Sequence, residues 1–322
     1  MAGNQTIPGI HHVTAIAGYP QQNIDFYGGV LGLRLVKLTV NYDDPGTYHL
    51  YYGDGLGHPG TILTFFPWPG APLGIKGTGQ LTVISFSAPE GSMDYWKKRL
   101  SSHGITITEQ FSKFGEKKIS FQDTNGLQLE LVESNEEDRK GWAEGPIPPE
   151  KAIRGFYSVT LTEEGFERTS ELLVDTLKFR EKTREGDTYY RYEMGEGGPG
   201  SIVDVVCEPG RPRGIVSVGT VHHVAWRTPT DEEQKIWHDT ISNTTRLNVT
   251  PIIDRKYFHS IYFREPGGVL FEIATDPPGF NVDEPVERLG SELQLPARLE
   301  PMRMKLEQLL PPVRVPKKSI AR

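Results

Sequence analysis

The chain has a single cysteine, Cys207, in 322 residues. One thiol excludes an internal disulfide and any thiolate zinc site, and the run Ile202-Val203-Asp204-Val205-Val206 before it reads as a buried strand. Also absent is a run of about 18 continuous apolar residues, the length a membrane span needs. The opening Met1-Ala2-Gly3-Asn4-Gln5-Thr6 has neither a basic leader nor an apolar stretch. Lysine and arginine are scattered and the net charge is −7, so there is no basic stripe for nucleic acid and no polybasic anchor for a membrane. These absences give the expectation of a cytoplasmic protein that binds neither nucleic acid nor membrane. They leave homo-oligomerisation open.

What is present points to β structure. Thirty-five Gly and 25 Pro imply many tight turns between short elements. A β-type opening recurs near Ile10, Leu81, Phe156 and Val221, at intervals of about 70 residues. Each opening is followed by an amphipathic helix, expected over Asn23–Leu31, Ser92–Ser102, Glu164–Leu177 and Thr230–Ser242. In the last of these Ile236, Trp237 and Ile241 make the apolar side, and Thr230 with Glu233 forms a capping box. Gly104 can close the second helix in a left-handed conformation. Each unit then ends on a Gly and an apolar strand whose fourth residue after the Gly is Thr64, Glu130, Asp204 or Glu272. At the openings the corresponding residues are His12, Val83, Ser158 and His223, so only the first and last units carry imidazoles.

Those imidazoles come as two pairs, Ile10-His11-His12-Val13 and Val221-His222-His223-Val224. Nine histidines placed at random would give about a quarter of one such dipeptide. With Glu272 the pairs supply two imidazoles and a carboxylate, the set that holds a non-haem Fe(II) or similar divalent metal on one face and leaves the other positions open. Neighbouring strand residues face opposite ways, so one His of each pair can face the interior unless the strand bulges.

Four βαβββ modules with ligands on the first and last resemble the vicinal oxygen chelate superfamily of glyoxalases, fosfomycin-resistance proteins and extradiol dioxygenases. Within it, Gly9-Ile10-His11-His12-Val13-Thr14, Phe26-Tyr27-Gly28-Gly29-Val30-Leu31-Gly32-Leu33-Arg34, His58-Pro59-Gly60-Thr61 and Tyr262-Phe263-Arg264-Glu265-Pro266-Gly267-Gly268 look like the hydroquinone-type ring-cleaving dioxygenases. The resemblance runs to about Gly290. It implies an α+β fold of two open β-barrel-like domains, with 7–150 and 151–280 each holding two modules and 281–322 a C-terminal tail with a helix. Modules one and four are expected to close the metal-bearing barrel. The activity implied is Fe(II)-dependent cleavage of a small aromatic diol, hydroquinone or catechol, by O2, although Mn or another divalent metal fits the same ligands. His12, His223 and Glu272 become the metal ligands, and Tyr262, His11, His222 and Thr14 take supporting catalytic roles. For His11 a structural role weighs as much.

The other barrel is expected to hold no metal, with Glu130 and Asp204 at strand ends or facing solvent, since buried unpaired carboxylates are costly. Arg255 and Lys256 are candidates to neutralise an anionic substrate group, and Trp68, Phe65, Phe66 and Trp226 to line an aromatic pocket. His49, His58 and His259 read as capping or edge residues. In the tail, Leu299–Leu310 forms a helix with Met302, Leu306 and Leu309 on one side, and the basic, proline-containing end through Arg322 is expected to be mobile. Three other functions compete. A glyoxalase-type lyase or isomerase needs a second carboxylate where this chain has Thr64. A fosfomycin-type transferase has two modules rather than four. A sequestering protein would not need all three ligands.

Overall fold

A computed structural model describes residues 5–112, 114–135 and 137–315. Two eight-stranded mixed sheets form its frame. The first runs Ile253–Asp254, His259–Arg264, Leu270–Thr275, Val221–Thr228, Ile10–Ala17, Ile62–Pro67, Tyr48–Gly53, Arg34–Val40. The second runs Arg180–Glu185, Tyr189–Glu193, Ile202–Cys207, Gly155–Glu163, Gln80–Pro89, Gln128–Ser134, Lys117–Gln122, Ile107–Phe111. At the centre of each, two opening strands pair antiparallel, and each opening strand also pairs parallel with the closing strand of its own module. The crossover helix supplies the connection that parallel pairing demands. The fold is thus the expected α+β class of four βαβββ modules. Strands from the beginning and end of the chain share one sheet, and strands from its middle share the other.

The crossovers follow the apolar pattern with differences at their ends. Met93–Ser102 buries Met93, Trp96 and Leu100, and Gly104 beyond it has φ 72°. The first and third crossovers are shorter α-helices, Pro20–Ile24 and Glu167–Glu171, widened into π-helical turns at Asp25–Val30 and Leu172–Thr176. The fourth, Asp231–Thr244, is capped by Thr230 Oγ1 accepting from the Glu233 N–H at 3.1 Å. Its buried residues are Gln234, Trp237 and Ile241, whereas Ile236 stays 50% exposed. At about 100° per residue, Ile236 and Trp237 cannot both face inward. Gln234 takes the inner position because its amide donates to the carbonyls of His259 and Ile273 at 2.7 and 2.8 Å.

Glu130 and Asp204 do not stand at strand ends or face solvent. Glu130 is buried and accepts from Lys118, Ser85 and Ser120 at 2.6, 2.8 and 3.1 Å. Asp204 is half-buried and holds the Arg191 guanidinium at 2.7 and 2.9 Å. Neighbouring strands bring these cations inward, which removes the cost of an unpaired buried carboxylate.

The tail also departs from expectation. A 3₁₀ helix, Ala297–Met302, contains Pro301 and precedes the α-helix Arg303–Leu309. Three residues per turn in the first part shift the face, so Leu299, Leu306 and Leu310 enter the core while Met302 and Leu309 remain exposed. The tail packs on the first module, where the Tyr48 hydroxyl donates to the Pro311 carbonyl at 3.0 Å and Leu293 bridges Leu38. The basic end, 316–322, lies outside the described residues.

Where the sheets meet, Glu163 at the end of one opening strand is fully buried against the Gly267 turn of the other sheet. A Cβ on Gly267 would fall 1.9 Å from its Oε2. Its neighbour Glu265 is also buried and accepts from Thr169 Oγ1 and from the N–H groups of Gly267 and Val269 at 2.7, 2.8 and 2.8 Å. Among the described residues no helix is long and apolar enough to cross a membrane.

Candidate metal centre

Strand register sets the site. Residues paired across neighbouring strands face the same way. His12 pairs with Ala225, Ala225 with Glu272, and Glu272 with Tyr262, so these four form one rung across four strands. His223 lies two residues before Ala225 on the same face and pairs with Thr14. Ala225, with only a methyl group, leaves space between the imidazole of His12 and the carboxylate of Glu272.

Into that space point three buried donor atoms. His12 Nε2 lies 3.2 Å and His223 Nε2 3.0 Å from Glu272 Oε2, and the two nitrogens are 3.3 Å apart. Two ligands at right angles, each about 2.1 Å from a metal, stand about 3 Å apart. The triangle therefore fits three ligands on one face of a single divalent ion. Glu272 Oε1 accepts from Ser260, whereas buried Oε2 has no hydrogen-bond donor assigned to it. An orphaned carboxylate oxygen between two ring nitrogens is a donor set without its acceptor. Burial opposes the charge of Glu272, but His12 and His223 beside it hold its pKa well below the usual carboxylate range. Among the described residues this is the one such group of His, Cys, Asp and Glu.

The partners of the two ring pairs explain why the histidines are doubled. Each central strand carries a bulge, and the extra, unpaired residue is His11 in one and His222 in the other. Regular pleating would turn both away, but the bulges let His11 Nδ1 approach His12 Nδ1 at 2.9 Å and His222 Nδ1 approach His223 Nδ1 at 2.8 Å. His11 Nε2 lies 3.1 Å from the Thr275 carbonyl, which can only accept. Burial and then His12 push the His11 pKa well down, so His11 is neutral and carries its proton on Nε2. Its Nδ1 must then accept from His12 Nδ1–H, so Nε2 is the His12 nitrogen that faces the site. A neutral ligand imidazole fixed by an acceptor behind it is the usual arrangement at metals. Burial lowers the His222 pKa to about 3, and this ring also lines the cavity in front of the site.

That cavity has a volume of about 340 Å³. Its wall includes Phe66, Trp68, Phe258, Arg255 and Tyr262, while Phe65 and Trp226 belong to the core. Tyr262, the fourth residue of the rung, accepts from Arg255 Nε at 3.2 Å. Burial and then Glu272 raise its pKa, so the hydroxyl keeps its proton. Arg255 also pairs with Asp43 at 3.0 Å, whereas Lys256 turns away to Asp283 and Leu295. Thr14 is buried on the site face but spends its hydroxyl on Thr64 at 2.8 Å. Thr64 in turn contacts His49 Nε2 at 2.9 Å, and His49 Nδ1 contacts the Tyr51 hydroxyl at 2.8 Å.

His49 is the residue that sequence reasoning undervalued. It lines the cavity, and burial followed by repulsion from His12 and His223 lowers its pKa well below the usual value. The alternation of Tyr48-His49-Leu50-Tyr51 held the signal, since it puts His49 on the face of Tyr51. His58 and His259 are bound to Asp54 and Asp231, each at 2.6 Å, away from the donors. A larger groove of about 720 Å³ beside Phe26 and Ile105 has no such convergence of ligand atoms.

Comparison with known proteins adds a lineage to this geometry. The family model described as the Glyoxalase/Bleomycin resistance protein/Dioxygenase superfamily matches residues 9–131. A Bacillus subtilis (strain 168) relative named "Putative ring-cleaving dioxygenase MhqO" is 49% identical, over 95% of this chain and 97% of the relative. The Chlorohydroquinone/hydroquinone 1,2-dioxygenase of Sphingobium indicum is 35% identical, over 92% and 94% respectively. The crystal structure of a "putative dioxygenase" from Bacillus subtilis subsp. subtilis str. 168 superposes with a TM-score of 0.92 at 48% identity, covering 97% of this chain and 99% of that one.

Proposed function

Because the chain belongs to the Glyoxalase/Bleomycin resistance protein/Dioxygenase superfamily, we propose that it is a ring-cleaving dioxygenase that uses Fe(II) and O2 on a small aromatic diol, a hydroquinone or a catechol. The observation that carries this reading is the triangle of His12, His223 and Glu272 donor atoms, 3.0 to 3.3 Å apart, behind a one-ring cavity. These three residues would hold the metal. When bound, Fe(II) would favour the deprotonated phenol and give electrons a path from the ring to oxygen, which zinc does not offer.

The chain's own groups prepare that chemistry. His11 and the Thr275 carbonyl orient His12, and His222 Nδ1 stands 2.8 Å behind His223 Nδ1. His49, neutral and held at both ring nitrogens by Thr64 and Tyr51, fixes that part of the cavity wall against a bound diol. Tyr262, kept protonated, donates a hydrogen bond to an oxygen atom beside the metal ligands. Arg255 beside it favours negative charge developing there. Thr14 acts at one remove, by positioning Thr64 and through it His49. Phe66, Trp68 and Phe258 give the aromatic ring apolar surfaces and keep water out. Cys207, a free buried thiol, suits the reducing cytoplasm in which such an enzyme would work.

A glyoxalase-type reaction is disfavoured by Thr64. It lies at the closing-strand position equivalent to Glu272 and is tied to Thr14 and His49, so among the described residues no second carboxylate joins the donor cluster. The test is anaerobic loading with Fe(II), followed by oxygen uptake and ring-opened product absorbance over a panel of hydroquinones and catechols. Stoichiometric uptake with ring opening is expected. A metal-loaded protein that consumes no oxygen with any of them refutes the proposal.

A further inference from the structure

The site-bearing sheet is open, and its two edges are Arg34–Val40 and Ile253–Asp254. The cavity lies in the gap between them, walled on one side by Asn41, Tyr42 and Asp43 and on the other by Arg255 and Phe258. A gap between unpaired edges has no intrinsic width, because no ladder of hydrogen bonds fixes it. The segment after the fourth module crosses this gap.

Along the first edge, the Arg34 guanidinium donates to the Val286 carbonyl at 2.6 Å. Further along, Gln294 N–H donates to the Leu38 carbonyl at 2.9 Å, and Thr39 Oγ1 donates to the Gln294 carbonyl at 2.6 Å. Lys37, fully buried, reaches Glu284 and Asp283, the latter at 2.6 Å. At the second edge, Lys256 Nζ lies 2.5 Å from Asp283 Oδ2 and 3.1 Å from the Leu295 carbonyl, and the Tyr257 hydroxyl donates to Asp283 at 3.0 Å. One carboxylate thus joins the edges, with Oδ1 on Lys37 and Oδ2 on Lys256 and Tyr257. Lys256 sits at φ 71°, a conformation that a non-glycine residue keeps only when its surroundings hold it. The residues flanking it are Arg255, which reaches into the cavity, and Tyr257. Phe258 follows, with its ring 5.0 Å from that of His12.

We infer that residues 281–295 are a clasp across the open sheet, with Asp283 as its pin, and that the clasp sets the width of the cavity and hence the size of substituent a ring can carry. The inference about substituents rests on the proposed ring-cleaving function; the clasp itself does not. Asp283 touches no metal ligand and is a positioning residue, acting through Lys256 on Arg255 and Phe258. The turn it steadies is the one in which Arg255 N–H donates to the Phe258 carbonyl at 3.0 Å and Lys256 N–H to Asp254 Oδ1 at 2.6 Å.

The test uses the metal-loaded full chain, Asp283→Asn, and Lys256→Met as a second variant that cuts only one arm. Amide hydrogen exchange over 254–258 is expected to quicken about tenfold or more in both, because local opening governs exchange there. Metal content should stay at the wild-type value. With unsubstituted hydroquinone, kcat should change little while KM rises about tenfold, and discrimination against bulky ring substituents should fall. Unchanged exchange and unchanged KM in both variants overturn the clasp, as does loss of metal in Lys256→Met. If exchange quickens but the wild-type protein opens no aromatic diol, the clasp stands and the ring-cleaving reading falls.

Discussion

Glu163→Gln gives a quantitative test of the buried acid between the two sheets. Glu163 is fully buried, and no hydrogen-bond donor is assigned to either of its carboxyl oxygens. Burial, and then the charge of Glu265, push its pKa up to about 9, with Arg213 pulling the other way. In the unfolded chain the same group ionises near its ordinary 4.5. Between those two values the folded protein holds a proton that the unfolded chain has lost. Stability is therefore complete below the lower value and falls as pH rises towards the upper one, by about 1.4 kcal/mol per pH unit. Glutamine cannot ionise and keeps a neutral amide in the same space, so the variant escapes this loss. From about pH 5.5 to pH 7.5 the wild-type protein should lose about 3 kcal/mol relative to the variant, a large share of a total of roughly 5 to 15 kcal/mol. Denaturant unfolding followed by tryptophan fluorescence, with both proteins stripped of metal and at equal ionic strength, measures the difference directly. Parallel stability curves would refute the reasoning, because an ionised Glu163 in the folded state gives no relative slope.

Three further outcomes are expected. His12→Ala, His223→Ala and Glu272→Ala should each abolish stoichiometric metal binding while circular dichroism stays native. Glu130→Ala should keep metal and cost about 1 to 3 kcal/mol, because it leaves buried Ser85 and half-buried Lys118 without their acceptor; normal metal uptake by any of the first three would count against the ligand set. His11→Ala, which removes the acceptor behind His12, should weaken metal affinity about 10- to 100-fold in competition with a chelator, and an unchanged affinity would make His11 a packing residue only. Leu306→Ala should destabilise by about 2 to 4 kcal/mol and Met304→Ala by less than about 0.5 kcal/mol, since the first is buried and the second is 80% exposed; equal thermal shifts would show that the tail does not dock as described.

The four-module plan was legible because it repeats, and the histidine pairs because their frequency exceeds chance. What the sequence hid depends on residues distant along the chain. His11 and His222 turn towards their partners because both central strands bulge. A bulge is a property of two strands in register, here 211 residues apart in sequence at His12 and His223. Ala225 gives no signal by itself and matters only as the small member of a rung. Glu130 and Asp204 looked too costly to bury until Lys118 and Arg191 arrived from adjoining strands. The sequence neighbours of His49 mark it as an edge residue, yet its place in the cavity wall follows from the strand that carries it there. In the tail, a helix read at one constant pitch begins as a 3₁₀ turn, and that change rotates Met302 and Leu309 outward.

The sharing of one sheet by the beginning and end of the chain bears on biosynthesis. A ribosome releases His12 early, but His223 emerges only after the whole middle sheet has been made, and Glu272 later still. A nascent chain that has completed residues 80–207 has all the strands of the second sheet and one residue of the His12, His223 and Glu272 cluster. The middle sheet can therefore form while the outer one waits, its first strands holding an unfilled edge for partners not yet translated. Assembly of the three-residue cluster is thus a late event in synthesis, and a polypeptide that ends before Glu272 cannot complete it.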